Sequence, residues 1–263
     1  MKRIRLTTIL LVTVSFGTIL SLQRVRAGDE PSRTPVLVEL FTSEGCSDCP
    51  PADAVLEKLD RLQPVRGAEL VVLSEHVDYW DGIGWRDPYS LHEYSERQQA
   101  YAERFGLNSV YTPQVVVDGR AQLVGSDERG AIRAIEDAAK TQKMTMTLSS
   151  IHFQDNRTLS LHIDAGQLPP SNTNKSANIL LAVADESDES SVSGGENAGR
   201  RLRHVAVLRS LTRVGTVDGS DEFSRDVTVN VNRVKPGNFR VVAIAQDPTT
   251  GRVWGVGLAR LSN

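Results

Sequence analysis

Cysteine is scarce in this chain of 263 residues, which contains only two. Without a second cysteine pair, a structural zinc site is disfavoured. Cys49 is followed by proline rather than histidine, so the pattern of c-type haem attachment is absent. No cysteine directly follows the apolar N-terminal segment, which argues against a lipoprotein anchor. The two cysteines are therefore interpreted as one pair that acts together.

The chain has no large excess of either positive or negative charge, and it has few aromatic residues. Lys and Arg number 30 against 33 Asp and Glu, and the formal net charge of −3 gives no reason to expect nucleic acid as a partner. Aromatic residues make up only 5% of the chain, yet one segment contains Tyr79, Trp80, Trp85 and Tyr89. This crowding indicates either a lid or substrate platform, or core that covers the edge of a sheet.

Both cysteines lie in one turn, Cys46-Ser47-Asp48-Cys49, directly after the apolar run Val36–Phe41. A Cys-x-x-Cys sequence at a strand-to-helix junction is typical of dithiol chemistry. The first sulfur of such a turn lies at the helix N-terminus, where unpaired N–H groups and the helix dipole favour a thiolate. We therefore predict that Cys46 is the attacking thiol and that Cys49, one turn inside the helix, is the resolving thiol.

Two acidic neighbours, Glu44 and Asp48, oppose a thiolate at Cys46. The helix dipole contributes up to about 2 kcal/mol, whereas one charge at about 6 Å opposes it by roughly 0.7 to 3 kcal/mol at an effective dielectric of about 20 to 80. These effects nearly cancel, so we expect a comparatively reducing pair. Two other interpretations stay open: a disulfide that only staples the turn, and a copper site that uses both thiolates with His76.

The N-terminal segment has the pattern of an export signal. A basic start precedes a mainly apolar stretch over residues 6–22, and Ala27 is a small residue suited to cleavage. Two arginines before the cut are atypical, and the stretch approaches the length of a membrane span, so an uncleaved anchor is the alternative. We predict a signal peptide over residues 1–27, membrane association only if it stays uncleaved, and a periplasmic or secreted protein. There a lone cysteine pair can persist as a disulfide.

The first half of the chain alternates between strand-like and helix-like patterns. Val36–Ser43 and Glu69–Ser74 are apolar runs typical of buried strands, and Pro50-Pro51 suits the first turn of a helix. The predicted order β-α-β-α-β-β-α, with Cys-x-x-Cys after the first strand and Thr112-Pro113 before the third, resembles the thioredoxin fold. That resemblance implies a cis Thr112–Pro113 bond beside the dithiol, since cis bonds are essentially confined to X–Pro.

The second half of the chain has a different pattern. From Met144 onward, seven short apolar runs recur between Gly, Pro, Asn and Asp residues, which suggests an antiparallel β-sandwich. Composition alone makes Asp185–Gly199 a mobile loop. We therefore predict an α/β thioredoxin-like domain over residues 34–142, followed by an all-β, antiparallel sandwich-like domain over residues 143–263.

Four segments, in order along the chain, carry a resemblance to a known family: Glu39–Asp53, His76–Asp81 with Gly84-Trp85, Tyr111–Gln114 and Gly194–Arg200. In these segments the mature chain resembles a family of secreted bacterial proteins of unknown function, DUF1223, with a thioredoxin-like half and a β-rich half. Composition alone would make the last segment a linker. The resemblance instead favours a loop that docks against the first half.

These features predict a secreted or periplasmic thiol–disulfide oxidoreductase-like protein that reacts with protein thiols or disulfides, or with a small thiol. We predict no cofactor and no metal. The reacting pair, Cys46 and Cys49, would lie opposite a cis Pro113. The substrate is expected at the carboxyl ends of the strands, where parallel α/β sheets bind ligands, and the predicted lining residues are His76, Trp80, Trp85 and Thr112.

Two of these interpretations have plainer alternatives. His76 could instead cap its strand and bond to the chain, and the remaining histidines, including His204, are interpreted as structural or surface residues. The alternative for the whole protein is a non-enzymatic binding or copper-delivery module of thioredoxin-like fold that uses the same edge.

Overall fold

Three helices lie within the part of the protein that the computed structural model describes, which is residues 33–155, 157–171, 176–231, 234 and 237–262. They are α1 (Pro50–Leu62), α2 (His92–Phe105) and α3 (Glu128–Ala139). Within the same ranges, no helix is long and apolar enough to cross a membrane. The predicted signal segment, residues 1–27, lies outside the described residues.

Strands form most of the regular structure, and residues 34–139 have the predicted element order β-α-β-α-β-β-α. Asp118 and Gly119 form the predicted hairpin turn, with φ angles of 50° and 61°, as a type I′ turn requires. Each of the seven apolar runs in the second half overlaps a strand. The strands are β1 (Thr34–Thr42), β2 (Ala68–His76), β3 (Gln114–Val117), β4 (Ala121–Val124), β5 (Met146–Phe153), β6 (Thr158–Ala165), β7 (Ser176–Ser191), β8 (Arg201–Asp218), β9 (Phe223–Asn230), β10 (Asn238–Gln246) and β11 (Val253–Ser262).

The predicted fold class, an α/β thioredoxin-like domain followed by a separate all-β sandwich, is wrong. Eight strands from both halves form one mixed sheet in the order β11-β10-β7-β8-β2-β1-β3-β4, and β5, β6 and β9 form a second sheet of three strands. The halves join where β2 and β8 run parallel, with Ser74 opposite Val207. Alternation along β8 indicates which side chains share a face, but it does not indicate which strand lies beside β8.

Alternation along β1 places the helices on opposite faces of the large sheet. Val38 and Leu40 pack with residues of α1 and α3, whereas Leu37 and Phe41 pack in clusters that contain tyrosines of α2. Burying each such side chain stabilises the fold by about 1.5–3 kcal/mol. The three-stranded sheet shares a further apolar cluster with β7 and β10. Strand β1 is therefore a central strand, and its carboxyl end is held from both faces.

A buried polar group joins α2 to the sheet. This group, here called the α2 cluster, consists of Glu39, Glu75, Arg97, Tyr101 and Gln246. Arg97 Nε and the Tyr101 hydroxyl each donate to Glu39 at 2.7 Å, and Gln246 Nε2 donates to Tyr101 at 2.7 Å. Burial raises the pKa of Glu75 well above its ordinary value, and the adjacent Glu39 adds to this effect while Arg97 opposes it. The cluster thus links α2 to β1, β2 and β10.

The prediction that Asp185–Gly199 is a mobile loop is wrong for its first part, because β7 continues to Ser191 and pairs with β8. Arg209 on β8 donates to Asp185 and to Asp188, each at 2.7 Å, and such charge-assisted bonds are strong. The acidic side chains that suggested a solvated loop are therefore paired within the hairpin. Residues 192–200 form its tip, here called the hairpin tip.

Candidate functional site

The dithiol occupies the connection between β1 and α1. Cys46 and Cys49 form a disulfide with their Cα atoms 5.4 Å apart. Cys46 is 2% exposed and Cys49 is fully buried, whereas Ser47 and Asp48 between them are exposed. Solvent therefore reaches the tip of the turn, and Cys46 is the cysteine that keeps an exposed fraction.

The start of α1 supplies few free N–H groups. Pro50-Pro51 occupies the first two helical positions, and proline has no N–H. The next two amides, of Ala52 and Asp53, both donate to the carbonyl oxygen of Cys49, at 2.8 and 3.1 Å. A thiolate at Cys46 would thus face the helix dipole without a free amide from these four residues.

The hairpin tip is hydrogen-bonded to the dithiol turn. The side-chain amide of Asn197, which is fully buried, donates to the backbone oxygens of Glu44 at 2.8 Å and of Cys46 at 2.9 Å. The carboxylate of Glu196 accepts the amide of Ser47 at 3.0 Å, and hydrogen bonds from the Ser47 hydroxyl and amide lower the pKa of Glu196. The docking expected from the resemblance is confirmed, and it occupies an amide of the dithiol turn itself.

Glycine lets the hairpin tip approach the loop after β2. Gly84 and Gly195 have φ angles of +85° and +67°, which L side chains rarely adopt. A Cβ at Gly194 would lie only 2.3 Å from the carbonyl oxygen of Gly84. The two loops therefore touch backbone to backbone, which explains the glycines in two of the segments that carry the family resemblance.

A second group of buried ionisable side chains adjoins the dithiol turn. This group, here called the dithiol cluster, consists of Glu44, Asp53, His76, Asp87 and His204. The Glu44 carboxylate accepts hydrogen bonds from Trp85 Nε1 at 2.8 Å and from the Ser190 hydroxyl. Glu44 therefore ties the dithiol turn to the loop after β2 and to β7.

His204, on β8, lies between two carboxylates of the dithiol cluster. Its Nε2 is 3.3 Å from Glu44 Oε1, and its Nδ1 is 3.6 Å from Asp53 Oδ1. Burial opposes a charge on this imidazole, but Asp53 and then Glu44 outweigh that effect and raise the pKa of His204 to about 10. His204 is therefore a buried cation at neutral pH.

His76 pairs with Asp87 in the same cluster. The two side chains are fully buried, and His76 Nδ1 is 2.7 Å from Asp87 Oδ2. Burial opposes the charge of Asp87, but His76 and the amides of Glu44 and Tyr89 lower its pKa. The rings of His76 and His204 meet edge to face, with centroids 4.6 Å apart. His76 thus belongs to the buried cluster and has no exposed surface.

Trp80 connects the segment before β3 to the dithiol turn. Its Nε1 donates to Thr112 Oγ1 at 2.8 Å, and a Cβ at Gly45 would lie 3.0 Å from the Cβ of Trp80. The Thr112–Pro113 bond is cis, as the resemblance implied, and Pro113 is buried. Trp80 therefore lies between the residue that precedes Cys46 and the cis proline segment.

The sequence patterns indicate no catalytic or ligand-binding role for Asp53 or His204. Asp53 lies in the first turn of α1, where the helix dipole commonly favours acidic residues. His204 was interpreted as a structural or surface residue, and the structure makes it 1% exposed. The sequence feature that could have indicated its burial is its position directly before the apolar run Val205–Leu208. Among the described ranges, no group of three or more His, Cys, Asp or Glu side chains is arranged to hold a metal ion.

The family comparison covers most of the chain. The model of the family described as "Protein of unknown function (DUF1223)" matches residues 37–246. The chain belongs to this family. Among curated proteins, none matches this DUF1223 protein.

Two solved structures are similar to this DUF1223 protein over most of its length. A protein from Agrobacterium tumefaciens, determined by X-ray crystallography, is 28% identical with a TM-score of 0.66, and the similarity covers 88% of this chain and 96% of that chain. HBP35 of Porphyromonas gingivalis is 12% identical with a TM-score of 0.63, over 88% of this chain and 76% of that chain. At that identity, the second likeness is one of fold alone.

Proposed function

We propose that this DUF1223 protein is a periplasmic or secreted thiol–disulfide exchange protein that reacts with protein thiols or disulfides, or with a small thiol. The observation that carries the proposal is the pairing of the chain's two cysteines, three positions apart, at the start of α1. So short a loop constrains the unfolded chain little, so stapling alone is a weak reason for the bond. A dithiol–disulfide couple gives up or takes up two electrons, so exchange with another thiol or disulfide needs no cofactor.

Exchange in the reducing direction takes two steps. The Cys46 thiolate attacks one sulfur of a substrate disulfide, forms a mixed disulfide and releases the first substrate thiolate. Cys49 then loses its proton and attacks Cys46 Sγ, which reforms the Cys46–Cys49 bond and releases the second substrate thiolate. Two electrons pass to the substrate, and its thiolates take up protons. Cys46 has the first role because it keeps the exposed fraction.

The surroundings of Cys46 favour the disulfide over a free thiolate. Pro50-Pro51 removes two helix amides, Glu196 occupies the amide of Ser47, and the carboxylate of Glu44 is buried two residues away. A poorly stabilised thiolate makes the reduced pair a better electron donor. We therefore expect a reduction potential nearer to about −270 mV, as in reducing dithiols, than to about −120 mV, as in strong oxidants.

Exposed apolar side chains in the loop after β2 favour a protein partner over a small thiol. In the loop after β2, Tyr79 is 40% exposed and Ile83 is 52% exposed. The backbone oxygen of Ile83 would lie 3.1 Å from a Cβ at Gly195, so Ile83 adjoins the hairpin tip that holds the dithiol turn. An extended peptide that approaches the dithiol turn along the hairpin tip would find apolar surface at Ile83.

The competing copper-delivery function finds no support in this geometry. Its predicted third ligand, His76, is fully buried, and Asp87 engages its Nδ1 at 2.7 Å. Stoichiometric Cu(I) binding that depends on His76 is the result that would favour this function over exchange.

A mixed-disulfide trap tests the proposal. Cys49→Ser removes the resolving thiol, so partners should accumulate as reducible adducts on Cys46. Cys46→Ser is the matched control, and it should form far fewer adducts because Cys49 is fully buried. Equilibration of the native wild-type protein with glutathione buffers should give a two-electron midpoint. A disulfide that stays inert until the protein unfolds would identify a structural staple instead.

A further inference from the structure

The disulfide is closed to solvent, although exchange requires another sulfur to reach it. Cys46 is 2% exposed and Cys49 is fully buried. Exchange proceeds through direct contact between the incoming sulfur and the sulfur that it attacks, so its rate depends on access. A thiol carried on a polypeptide cannot make that contact through so small an opening. A segment that lies against the dithiol turn therefore has to move before exchange begins.

The hairpin tip, residues 192–200, is hydrogen-bonded to the turn at Cys46 itself and at its neighbours. Asn197 donates to the backbone oxygens of Glu44 and Cys46, at 2.8 and 2.9 Å, and Glu196 accepts the amide of Ser47 at 3.0 Å. Glu196 and Ser47 are exposed, so water can replace the bond between them at a small net cost. Separation of the tip from the turn thus breaks few interactions.

The hairpin tip also has hydrogen bonds of its own. The amide of Val192 donates to the carbonyl oxygen of Arg200 at 2.9 Å, and the amide of Gly199 donates to that of Val192 at 2.8 Å. Arg200 Nη1 donates to Asn197 Oδ1 at 2.7 Å. None of these bonds involves the dithiol turn. The tip can therefore move as a unit, about the end of the paired strands β7 and β8, without losing its own conformation.

The loop after β2, which also contacts the dithiol turn, is attached more firmly. Trp80 is bonded to Thr112 at 2.8 Å, and Trp85 is bonded to the buried carboxylate of Glu44 at 2.8 Å. Asp87 of the same loop is 2% exposed and accepts the amide of Glu44 at 2.8 Å. Moving this loop would break bonds within the buried dithiol cluster. Of the two segments, the hairpin tip is the one that can leave at the smaller cost.

We propose that the hairpin tip is a lid that controls access to the dithiol. While Asn197 and Glu196 hold the turn, the lid is closed; when the tip lifts, Cys46 becomes accessible to another sulfur. The proposal rests on the proposed exchange function, because a disulfide that never reacts needs no lid. The rate of exchange then depends on the fraction of molecules whose lid is open. Ile83 adjoins Gly195 of the tip, so a protein partner that packs on Ile83 can also displace the lid.

A pair of glycine substitutions in the full chain tests the proposal. In Gly194→Ala, the new Cβ would lie 2.3 Å from the carbonyl oxygen of Gly84, which pushes the tip away from the loop after β2. Gly82→Ala is the matched control, because a Cβ at Gly82 meets no atom within 4 Å. Neither glycine has a positive φ, so steric contact is the difference between the two variants.

Reduction of the folded, oxidised protein by excess dithiothreitol is the reaction to measure. Alkylation stops the reaction at chosen times, and mass spectrometry gives the fraction reduced. Gly194→Ala should be reduced about tenfold faster than wild type or more, as expected from the cost of overpacking a close contact. Gly82→Ala should stay within about twofold of wild type. Hydrogen exchange at the Ser47 amide, which Glu196 accepts in the closed protein, should also be faster in Gly194→Ala.

A urea series separates opening of the lid from unfolding of the protein. Movement of the tip exposes little surface, so reduction through an open lid should hardly change at low urea, whereas reduction through global unfolding rises steeply. If Gly194→Ala does not fold, or if its Ser47 amide stays protected, a second variant replaces it. In that variant Asn-Gly replaces residues 193–199, since a two-residue turn suits the paired Val192 and Arg200. The same acceleration is expected.

The outcomes distinguish the lid from the exchange function. If the wild type and a variant with a freed tip are reduced at equal rates, the lid is overturned and exchange stands. An acceleration that rises with urea as steeply as unfolding also overturns the lid. A disulfide that resists dithiothreitol in the folded wild type and in both variants overturns the exchange function, and the lid with it.

Discussion

The dithiol cluster and the α2 cluster are both buried and both rich in charge, yet only one of them adjoins a reactive group. They are separated by a single step along β2: Glu75 belongs to the α2 cluster and the next residue, His76, belongs to the dithiol cluster. Adjacent strand residues point to opposite faces of a sheet. The two clusters thus share one strand and have different neighbours.

The contrast shows that burial of charge does not by itself identify a functional site. In the α2 cluster, Arg97 and Tyr101 bond both oxygens of Glu39, and Gln246 extends the network to β10. In the dithiol cluster, Asp53 and His204 each retain an atom without a hydrogen bond. Glu75 of the α2 cluster likewise has both carboxylate oxygens without a hydrogen-bond partner among the described residues, so incomplete bonding does not separate the two clusters. Their neighbours separate them: the dithiol cluster includes Glu44 of the dithiol turn, whereas the α2 cluster joins a helix to the sheet.

The largest expected effect comes from removing the cation of the α2 cluster. Arg97→Met leaves Glu39 and Glu75 buried without their positive partner, which should lower the free energy of unfolding by about 3–5 kcal/mol. Urea unfolding measures this loss. The rate of thiol–disulfide exchange, measured at low urea on the folded variant, should stay at the wild-type value. A change in reduction potential would contradict the separation of the two clusters.

A pH-dependent effect should follow from removing the cation of the dithiol cluster. His204 has its pKa raised from 6.5 to about 10 on folding, so its charge contributes full stability below about pH 6.5, and that contribution is lost as the pH rises through about 10. His204→Gln should therefore be most destabilised relative to wild type near pH 6 and less so near pH 10. Unfolding curves at both values measure the difference. A gap that is independent of pH would mean that the imidazole is neutral when buried.

The smallest effect is expected at the exposed tip of the dithiol turn. Asp48 is exposed, so water screens its charge, and Asp48→Asn should change the alkylation rate of Cys46 in the reduced protein by no more than about threefold. Glu196→Gln should have the larger effect, because Glu196 bonds the amide of Ser47 directly. Iodoacetamide labelling at several pH values compares them. The opposite ranking would show that net charge, rather than access to the amide, controls the thiol.

Local pattern predicted the elements of this protein better than their arrangement. The Cys46–Cys49 turn and the Asp118-Gly119 hairpin follow from short-range chemistry that a few neighbouring residues determine, whereas the cis Thr112–Pro113 bond was expected from the resemblance to the thioredoxin fold. The position of His204 does not, because it depends on the pairing of β8 with β2, two strands more than a hundred residues apart in the chain. Asp53 shows the same limit, since its proximity to His204 depends on where β8 lies beside α1.

The docking of the hairpin tip onto the dithiol turn has a consequence for biosynthesis. A chain is made from its N-terminus, and its earlier parts can begin to fold before the later parts exist. Cys46 and Cys49 are therefore present about 150 residues before Asn197 and His204 are added. During that interval the thiols have neither the buried cation nor the bond from Asn197 to the Cys46 backbone. The disulfide can thus form in an environment unlike that of the finished protein, and docking of β8 and the hairpin tip then changes the surroundings of a bond that already exists.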